Sequence, residues 1–352
     1  MSATADLVTP PASTTSPRQA GRLQFLLTRL AFYMLTTWVA VTVNFLVPRF
    51  MPGDPAEEMA DRLRRQTGQS LSVEQLAAIR RFFGDPSKDV FRQYLDYLAS
   101  VARLDFGTSL HHYPTPVASL VGDALIWTIA LVGSTTILAW ILGTALGTLI
   151  GWKPGGRLDS VIAPATTFLH AIPAFWLALI GFYFFAFELE WFPLGGAHDP
   201  DLDPSFSPQF LGSALWYGAL PALSLIFVGL NGWLFGMRNM MVTTIGEDYV
   251  LLARAKGLPA LRVMFRYAAR NAMLPNVTGL AVAVGAVIGG ELVTEVVFSY
   301  PGLGHVLFEA VKGKDYPVMQ MIFLMITLIA VTANFLADSL YAALDPRTKE
   351  QR

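Results

Sequence analysis

EDYVLLARAKGLPALRVMFRYAARNAMLPNVT, from Glu247 to Thr278, is the stretch on which the reading of this chain turns. It is basic, and a strongly apolar run flanks it on either side. A first helix is predicted to end at Lys256, where Gly257 supplies the left-handed backbone that closes a helix. Pro259 suits the first turn of the next helix, where its missing N–H costs nothing. The result is a helix–turn–helix whose basic residues suit the cytoplasmic side of a membrane. Its Ala, Leu and Val residues suit docking into a groove on a partner.

Working outward, the flanking runs belong to a set of six. They lie at about Leu30 to Val47, Ala124 to Ile150, Ala163 to Phe187, Leu215 to Met237, Val277 to Phe298 and Pro317 to Leu340. A bilayer core about 30 Å thick needs about 20 apolar residues per helical crossing. Over the whole chain 53% of residues are hydrophobic and 14% charged, against about 25% charged in soluble domains. The solvent for much of this chain is therefore not water. Helices satisfy their own backbone groups in lipid, whereas a barrel would show short alternating segments. The expected fold is all-α, a polytopic membrane protein of six transmembrane helices.

The chain divides accordingly. Residues 1–25, rich in Ser, Thr, Pro and Ala, read as a disordered cytoplasmic tail. Residues 26–50 hold the first span, too long for a signal-peptide core and lacking an A-x-A-like cleavage site. Residues 51–123 form an extracytoplasmic helical domain, and 124–341 hold spans two to six with a cytoplasmic loop at 238–275. Residues 342–352 are a cytoplasmic C-terminus. In the outer segment Val73, Leu76, Ile79 and Phe83 fall at helical spacing behind Ser72 as N-cap. Tyr94, Leu95, Leu98 and Val101 repeat the pattern.

Orientation follows from Lys and Arg in the short connections. Arg18, Arg22 and Arg29 precede span one. Lys153 and Arg157 follow span two, and Arg238, Arg254, Lys256, Arg262, Arg266 and Arg270 follow span four. Arg347, Lys349 and Arg352 close the chain. The link after span three has Asp199, Asp201 and Asp203 and no basic residue. Both termini are therefore expected in the cytoplasm.

ARAKGL followed by RNAMLP resembles the "EAA" coupling loop of ABC importer permeases of the dipeptide/oligopeptide/nickel class. Further stretches match in order: MPGDP (Met51 to Pro55), LDFGTSL, HAIPAFWLALIGFYFFAFELEWFPLGG, EVVFSYPGLGHVLFEAVKGKDYPVMQ and DSLYAALDPR. MPGDP and the outer domain point to the first, B-type, of the two permeases in such systems. The resemblance implies that the loop seats in a cleft of an ATPase and transmits its closure. The residues carried over are Ala253, Ala255, Lys256, Gly257, Asn271, Leu274 and Pro275. Glu247, Asp248, Tyr249, Arg254 and Leu258 stand around them. Leu251 and Leu252 depart from the Glu and first Ala of the generic motif.

The resemblance also implies the assembly: a second homologous permease, two ATPase subunits or one bifunctional ATPase chain, and an extracytoplasmic substrate-binding protein. The site would be a bacterial or archaeal plasma (inner) membrane. ATP and Mg would be bound by the ATPase partners and no cofactor by this chain. The implied cargo is a peptide; oligosaccharides and nickel chelates are alternatives within the class.

Polar groups inside spans are functional candidates by default. The candidates for a translocation path are Glu291 and Glu295, expected one turn apart on one face of span five, with Asn231 in span four and His170 in span three. A structural role is favoured for Glu295, and packing roles for Asn231 and His170. Glu291 either faces the path or bonds to a partner helix. Gly143, Gly147 and Gly151 read as close helix packing, and FSYPGLG (Phe298 to Gly304) as a turn.

A basic loop alone would only obey positive-inside topology; the ordered motifs lift the reading above that. A membrane enzyme finds no HExxH here, no Cys nucleophile, and no metal site in the scattered His111, His112, His170, His198 and His305. A stand-alone carrier would often show an internal repeat, and none is evident. No GxxxxGK[ST] phosphate loop occurs, so ATP hydrolysis must come from elsewhere. A net charge of −1 does not suggest nucleic acid.

Overall fold

The structure, a computed structural model, describes residues 17–50, 60–61, 64, 89–287 and 291–344. Twelve labelled helices order it: α1 Pro17–Phe50, α2 Val90–Arg103, α3 Val117–Trp152, α4 Arg157–Ala171, α5 Ala174–Glu188 and α6 Pro208–Ile245. Then come α7 Asp248–Ala255 and α8, assembled from Ala260–Arg262, the wide π turn Val263–Ala269 and Arg270–Ala272. The rest are α9 Leu274–Ala286, α10 Leu292–Val297, α11 Leu303–Gly313 and α12 Tyr316–Leu344. Among the described residues the only β pairing is an isolated bridge between Thr108 and Pro116.

The fold is all-α, as the periodicity required, and apolar outside as well as inside. α3, α6 and Tyr316–Phe335 of α12 are long and apolar enough to cross a bilayer; Leu30–Leu46 and Leu274–Ala283 are shorter apolar stretches. Phe32, Met34, Trp38, Ile126, Phe168 and Phe184 all lie exposed on helices. In water such a surface would be an aggregation liability; lipid satisfies it.

Three expectations need correction. The helix α1 starts at Pro17, so residues 17–25 are not a disordered tail; Pro is well placed at a helix start, where its missing N–H is not needed. Span three is not one straight helix. It breaks because Pro173 pushes Ile172 to extended backbone (ψ 124°) and cannot continue the helical ladder, and α4 and α5 meet at 94°. Span five is two helices, α9 and α10, with Glu291 at φ −101°, ψ 68° ahead of the second. The predicted outer helix around Val73 to Phe83, with Ser72, lies outside the described residues. Its companion is α2, whose Tyr94 and Tyr97 rings meet Phe45 of α1 at 5.1 and 5.4 Å. Asn44 of α1 donates to Tyr97 Oη (3.1 Å) and to the Gln320 carbonyl of α12 (2.7 Å).

The closest packing joins α3 to α6. A Cβ on Gly143 would stand 2.6 Å from Trp233 Cβ and 2.8 Å from the Leu230 carbonyl. On Gly151 it would stand 2.7 Å from Met241 Cβ. Only glycine permits this approach, so the small-residue ladder is a packing seam. Elsewhere Val117 and Val121 of α3 bury against Leu303 and Leu307 of α11 and Val318 and Ile322 of α12.

Candidate coupling hairpin and path residues

α7, Gly257 and α8 form a hairpin beneath the end of α6. Gly257 is left-handed (φ +73°). Its N–H meets the Arg254 carbonyl at 2.9 Å and the Leu258 N–H meets that of Ala253 at 3.4 Å. Pro259 sits at the N-cap, one position ahead of the first turn. One face of the hairpin is closed: Val250, Ala253, Val263, Met264 and Ala268 bury against Met237 and Met241 of α6. The opposite face is open. Tyr249, Leu251 and Leu252 are exposed on α7, and Leu261 (69%) and Phe265 (54%) on α8.

Of the motif residues, Glu247, Asp248, Tyr249, Arg254, Ala255, Lys256, Gly257, Asn271, Leu274 and Pro275 lie on the surface and Leu258 is half-buried. Ala253 differs: it is buried against its own chain, because the 250/253 face points at α6. Any partner would meet instead Leu251 and Leu252, the two positions that depart from the generic motif. Arg254 stands 4.7 Å over the Trp152 ring at the end of α3, which fixes one basic group on the surface.

Two polar devices anchor the hairpin's frame, and neither is visible in local sequence. Asp159 of α4 accepts two bonds from Arg238 of α6, Nε to Oδ1 and Nη2 to Oδ2, both at 2.7 Å. Its Oδ2 also accepts the Gly155 N–H at 2.8 Å. A bidentate pair fixes orientation as well as distance. Asn276, at the start of α9, donates to Thr144 Oγ1 (3.2 Å) and to the Trp233 carbonyl (3.1 Å). Its own carbonyl accepts Trp140 Nε1–H (3.1 Å). One buried side chain thus joins α3, α6 and α9. A polar residue directly after Pro275 within an apolar stretch was the available signal.

The path candidates separate. Glu295 is 0% exposed. Its carboxylate accepts from Thr128 Oγ1 (2.7 Å), from the Gly304 N–H (2.6 Å) and from the His305 N–H. Thr128 Oγ1 in turn accepts the Leu303 N–H at 2.8 Å. The pair therefore satisfies the free N–H groups that open α11, and a Cβ on Gly302 would run into the carboxylate. Phe298 to Leu303 is the turn that feeds this helix, with Ser299 left-handed at φ 47°. Glu295 is thus enclosed and hydrogen-bonded rather than exposed. Glu291 stands apart on exposed, non-helical backbone, so the expected shared face is absent; it borders a cavity between α3, α6 and α9. His170 ends α4 with Nδ1 3.3 Å from the Val228 carbonyl. Asn231 Oδ1 is buried on α6 without a hydrogen-bond partner among the described residues.

Comparison with known proteins follows the same lines. The family described as "Binding-protein-dependent transport system inner membrane component" matches residues 143–350. The oligopeptide transport system permease protein AppB of Bacillus subtilis is 32% identical over 87% of this chain and 92% of its own length. The di/tripeptide transport system permease protein DppB of Pseudomonas aeruginosa is 30% identical over 94% of this chain and 100% of its own. The dipeptide transport system permease protein DppB of Escherichia coli gives the same figures.

Proposed function

Because the chain belongs to the family of binding-protein-dependent transport system inner membrane components, we infer that it is a permease subunit of an ATP-driven importer that carries peptides. The peptide cargo rests on relatives named for oligopeptide, di/tripeptide and dipeptide transport. The chain contributes half of the path, and a homologous second permease contributes the rest. ATPase subunits engage from the cytoplasm and a substrate-binding protein delivers cargo from outside. Both termini face the cytoplasm, on the evidence of the basic connections.

The observation that carries this reading is the two-faced hairpin. Its inner face is packed on α6, and its outer face offers Tyr249, Leu251, Leu252, Leu261 and Phe265, with Arg254, Lys256 and Arg262 exposed on the same hairpin. Apolar anchors inside a charged rim suit a protein partner. The basic rim also supports a cytoplasmic position for the hairpin, where an ATPase can reach it. Closure of the ATPases would move the hairpin, and the hairpin would move α6.

Gly257→Val tests the coupling. Nothing lies within 4 Å of a Cβ built there, so the cost is backbone strain alone, about 1–2 kcal/mol for a left-handed L-residue. Expected are an intact membrane fold, weakened retention of ATPase subunits on purification and lost uptake of radiolabelled di- and tripeptides. Normal peptide uptake by a well-expressed Gly257→Val complex would refute the role given to the hairpin. A wild-type complex that moves no peptide at all would refute the cargo.

A further inference from the structure

Where α3, α6 and α9 approach Glu291 they leave a cavity of about 220 Å³. We propose that it is a subsite for a primary ammonium group on the transported solute, with Glu291 as the counter-ion; the proposal rests on the importer reading above.

The cavity's oxygen atoms define what it accepts. Among the described residues three lining side chains carry oxygen: Thr135, Thr136 and Glu291. Thr135 Oγ1–H is directed at the carbonyls of Leu131 (2.8 Å) and Val132 (3.0 Å), and Thr136 Oγ1–H at that of Val132 (2.7 Å). A hydroxyl has one hydrogen and two lone pairs. With both hydrogens committed to the α3 backbone, these oxygens meet a guest as acceptors. An ionised carboxylate also only accepts. Against these three acceptor groups the Trp233 indole N–H is the one side-chain donor among the described lining residues; the balance favours a guest rich in donors, and a primary ammonium has three donors and no acceptor.

Charge points the same way. Among the described residues no basic side chain lines the cavity, and Glu291 makes no ion pair and accepts no side-chain hydrogen bond. A lone carboxylate at membrane depth is expensive unless a cation or water reaches it. The Trp233 ring completes the wall. A Cβ on Gly143 would lie 2.6 Å from Trp233 Cβ, and one on Gly279 would lie 3.1 Å from its ring. The Trp233 side chain is thus held between α3 and α9, its Cβ against the first and its ring against the second, and an indole ring is a group that attracts cations. The remaining lining is aliphatic. The volume equals about seven water molecules at ~30 Å³ each, room for an ammonium group with part of its hydration but not for an extended peptide.

The absence of cysteine allows a direct test in the assembled complex in nanodiscs. Thr136→Cys puts one thiol in the cavity, and Ala260→Cys on exposed α8 serves as the reference. Aminoethyl methanethiosulfonate should label Cys at 136 at least about tenfold faster than the sulfonatoethyl reagent, relative to the same ratio at 260, because a charged cleft concentrates its counter-ions. Adding Glu291→Gln should abolish that preference, and Glu291→Asp should restore it. Trialanine should slow labelling several-fold and N-acetyl-trialanine should not. Protection by an N-acetylated peptide that carries lysine would show that a side-chain ammonium serves as well as an amino terminus. A cation preference that survives Glu291→Gln would overturn the proposal, as would, in a complex that imports peptide, equal protection by free and acetylated trialanine or protection by neither. The reagent arm does not depend on the cargo. A complex that moves no peptide yet keeps the Glu291-dependent preference would refute the peptide reading alone, and with it only the solute named here.

Discussion

Gly143→Ala adds a single methyl group at the seam between α3 and α6, and its consequence can be worked from distances. The new Cβ would lie 2.6 Å from Trp233 Cβ, 2.8 Å from the Leu230 carbonyl oxygen and 3.0 Å from the Leu234 nitrogen. Carbon–carbon contacts are most favourable at about 3.5–4.0 Å, so the helices must part by roughly 1 Å. Two of the three neighbours are backbone atoms and cannot rotate aside. Overpacking of this kind costs about 1–3 kcal/mol, and the rigid neighbours place it near the upper end. Against it stands the helix preference of Ala over Gly, about 1 kcal/mol. The net expectation is about 1–2 kcal/mol of destabilisation. Gly122, on the same helix, is the control: nothing lies within 4 Å of its Cβ. Gly122→Ala should therefore stabilise by up to about 1 kcal/mol. Both variants would be unfolded by SDS titration in mixed micelles, followed by tryptophan fluorescence. The midpoint of Gly143→Ala should fall below wild type and that of Gly122→Ala should not. Equal midpoints for the two variants would refute the argument that backbone proximity dictates glycine at this seam.

Three further outcomes follow from other parts of the molecule. Thr128→Val removes one donor to the Glu295 carboxylate and the acceptor of the Leu303 N–H; orphaned buried groups cost about 1–3 kcal/mol each, so the SDS midpoint should drop, and Thr128→Ser should recover most of it. Asp159→Asn leaves Arg238 half-enclosed without its bidentate partner; a loss of about 1–3 kcal/mol is expected, below the 3–5 of a fully buried pair, with peptide uptake reduced more than complex assembly. For topology, a thiol at Asp203→Cys should react with an impermeant reagent outside intact cells and one at Ala260→Cys should not; the reverse pattern would overturn the orientation.

What the sequence displayed were features that repeat along the chain or punctuate it locally. Apolar runs, the Gly257 turn and the Gly143/Gly147/Gly151 ladder are all patterns within one segment, and each was legible. Pro173 was equally plain, but a proline shows that a helix is interrupted, not that the interruption turns the chain by 94°; that angle comes from how α4 and α5 pack on α6. Pairings at long separation were not legible at all. Asp159 and Arg238 lie 79 residues apart, and Asn276 and Thr144 lie 132 apart. Read singly, Arg238 is one more positive-inside charge. Ala253 shows the reverse case: a motif names the residue, yet which face of a short helix looks inward is settled by what lies beneath it, here Met237 and Met241.

The same long-range pairings bear on how a push at the hairpin reaches the cavity. α9 leaves α8 at Leu274 and runs toward Glu291, roughly 20 Å at 1.5 Å per residue. A helix that emerged from a loose loop would dissipate a displacement in that loop. Here Asn276 clamps the first turn of α9 to Thr144 of α3 and to the Trp233 carbonyl of α6, and Trp233 is itself a wall of the cavity. Arg238 and Asp159 hold the same C-terminal part of α6 against α4. Close-packed elements do not deform continuously; they move as bodies between discrete arrangements. We infer that α3, α6 and the first turns of α9 form one such body, with the hairpin at one end and Trp233 within it. Glu291 belongs to neither α9 nor the body of α10, standing on non-helical backbone ahead of Leu292. Thr128 of α3 ties Glu295 of α10 and the start of α11 to the same body, so a displacement at the hairpin reaches both Trp233 and the segment that carries Glu291. Both sides of the proposed subsite are thus joined to the hairpin through packed and hydrogen-bonded elements, with no loose loop between α8 and the first turn of α9 to absorb a displacement before it reaches the site.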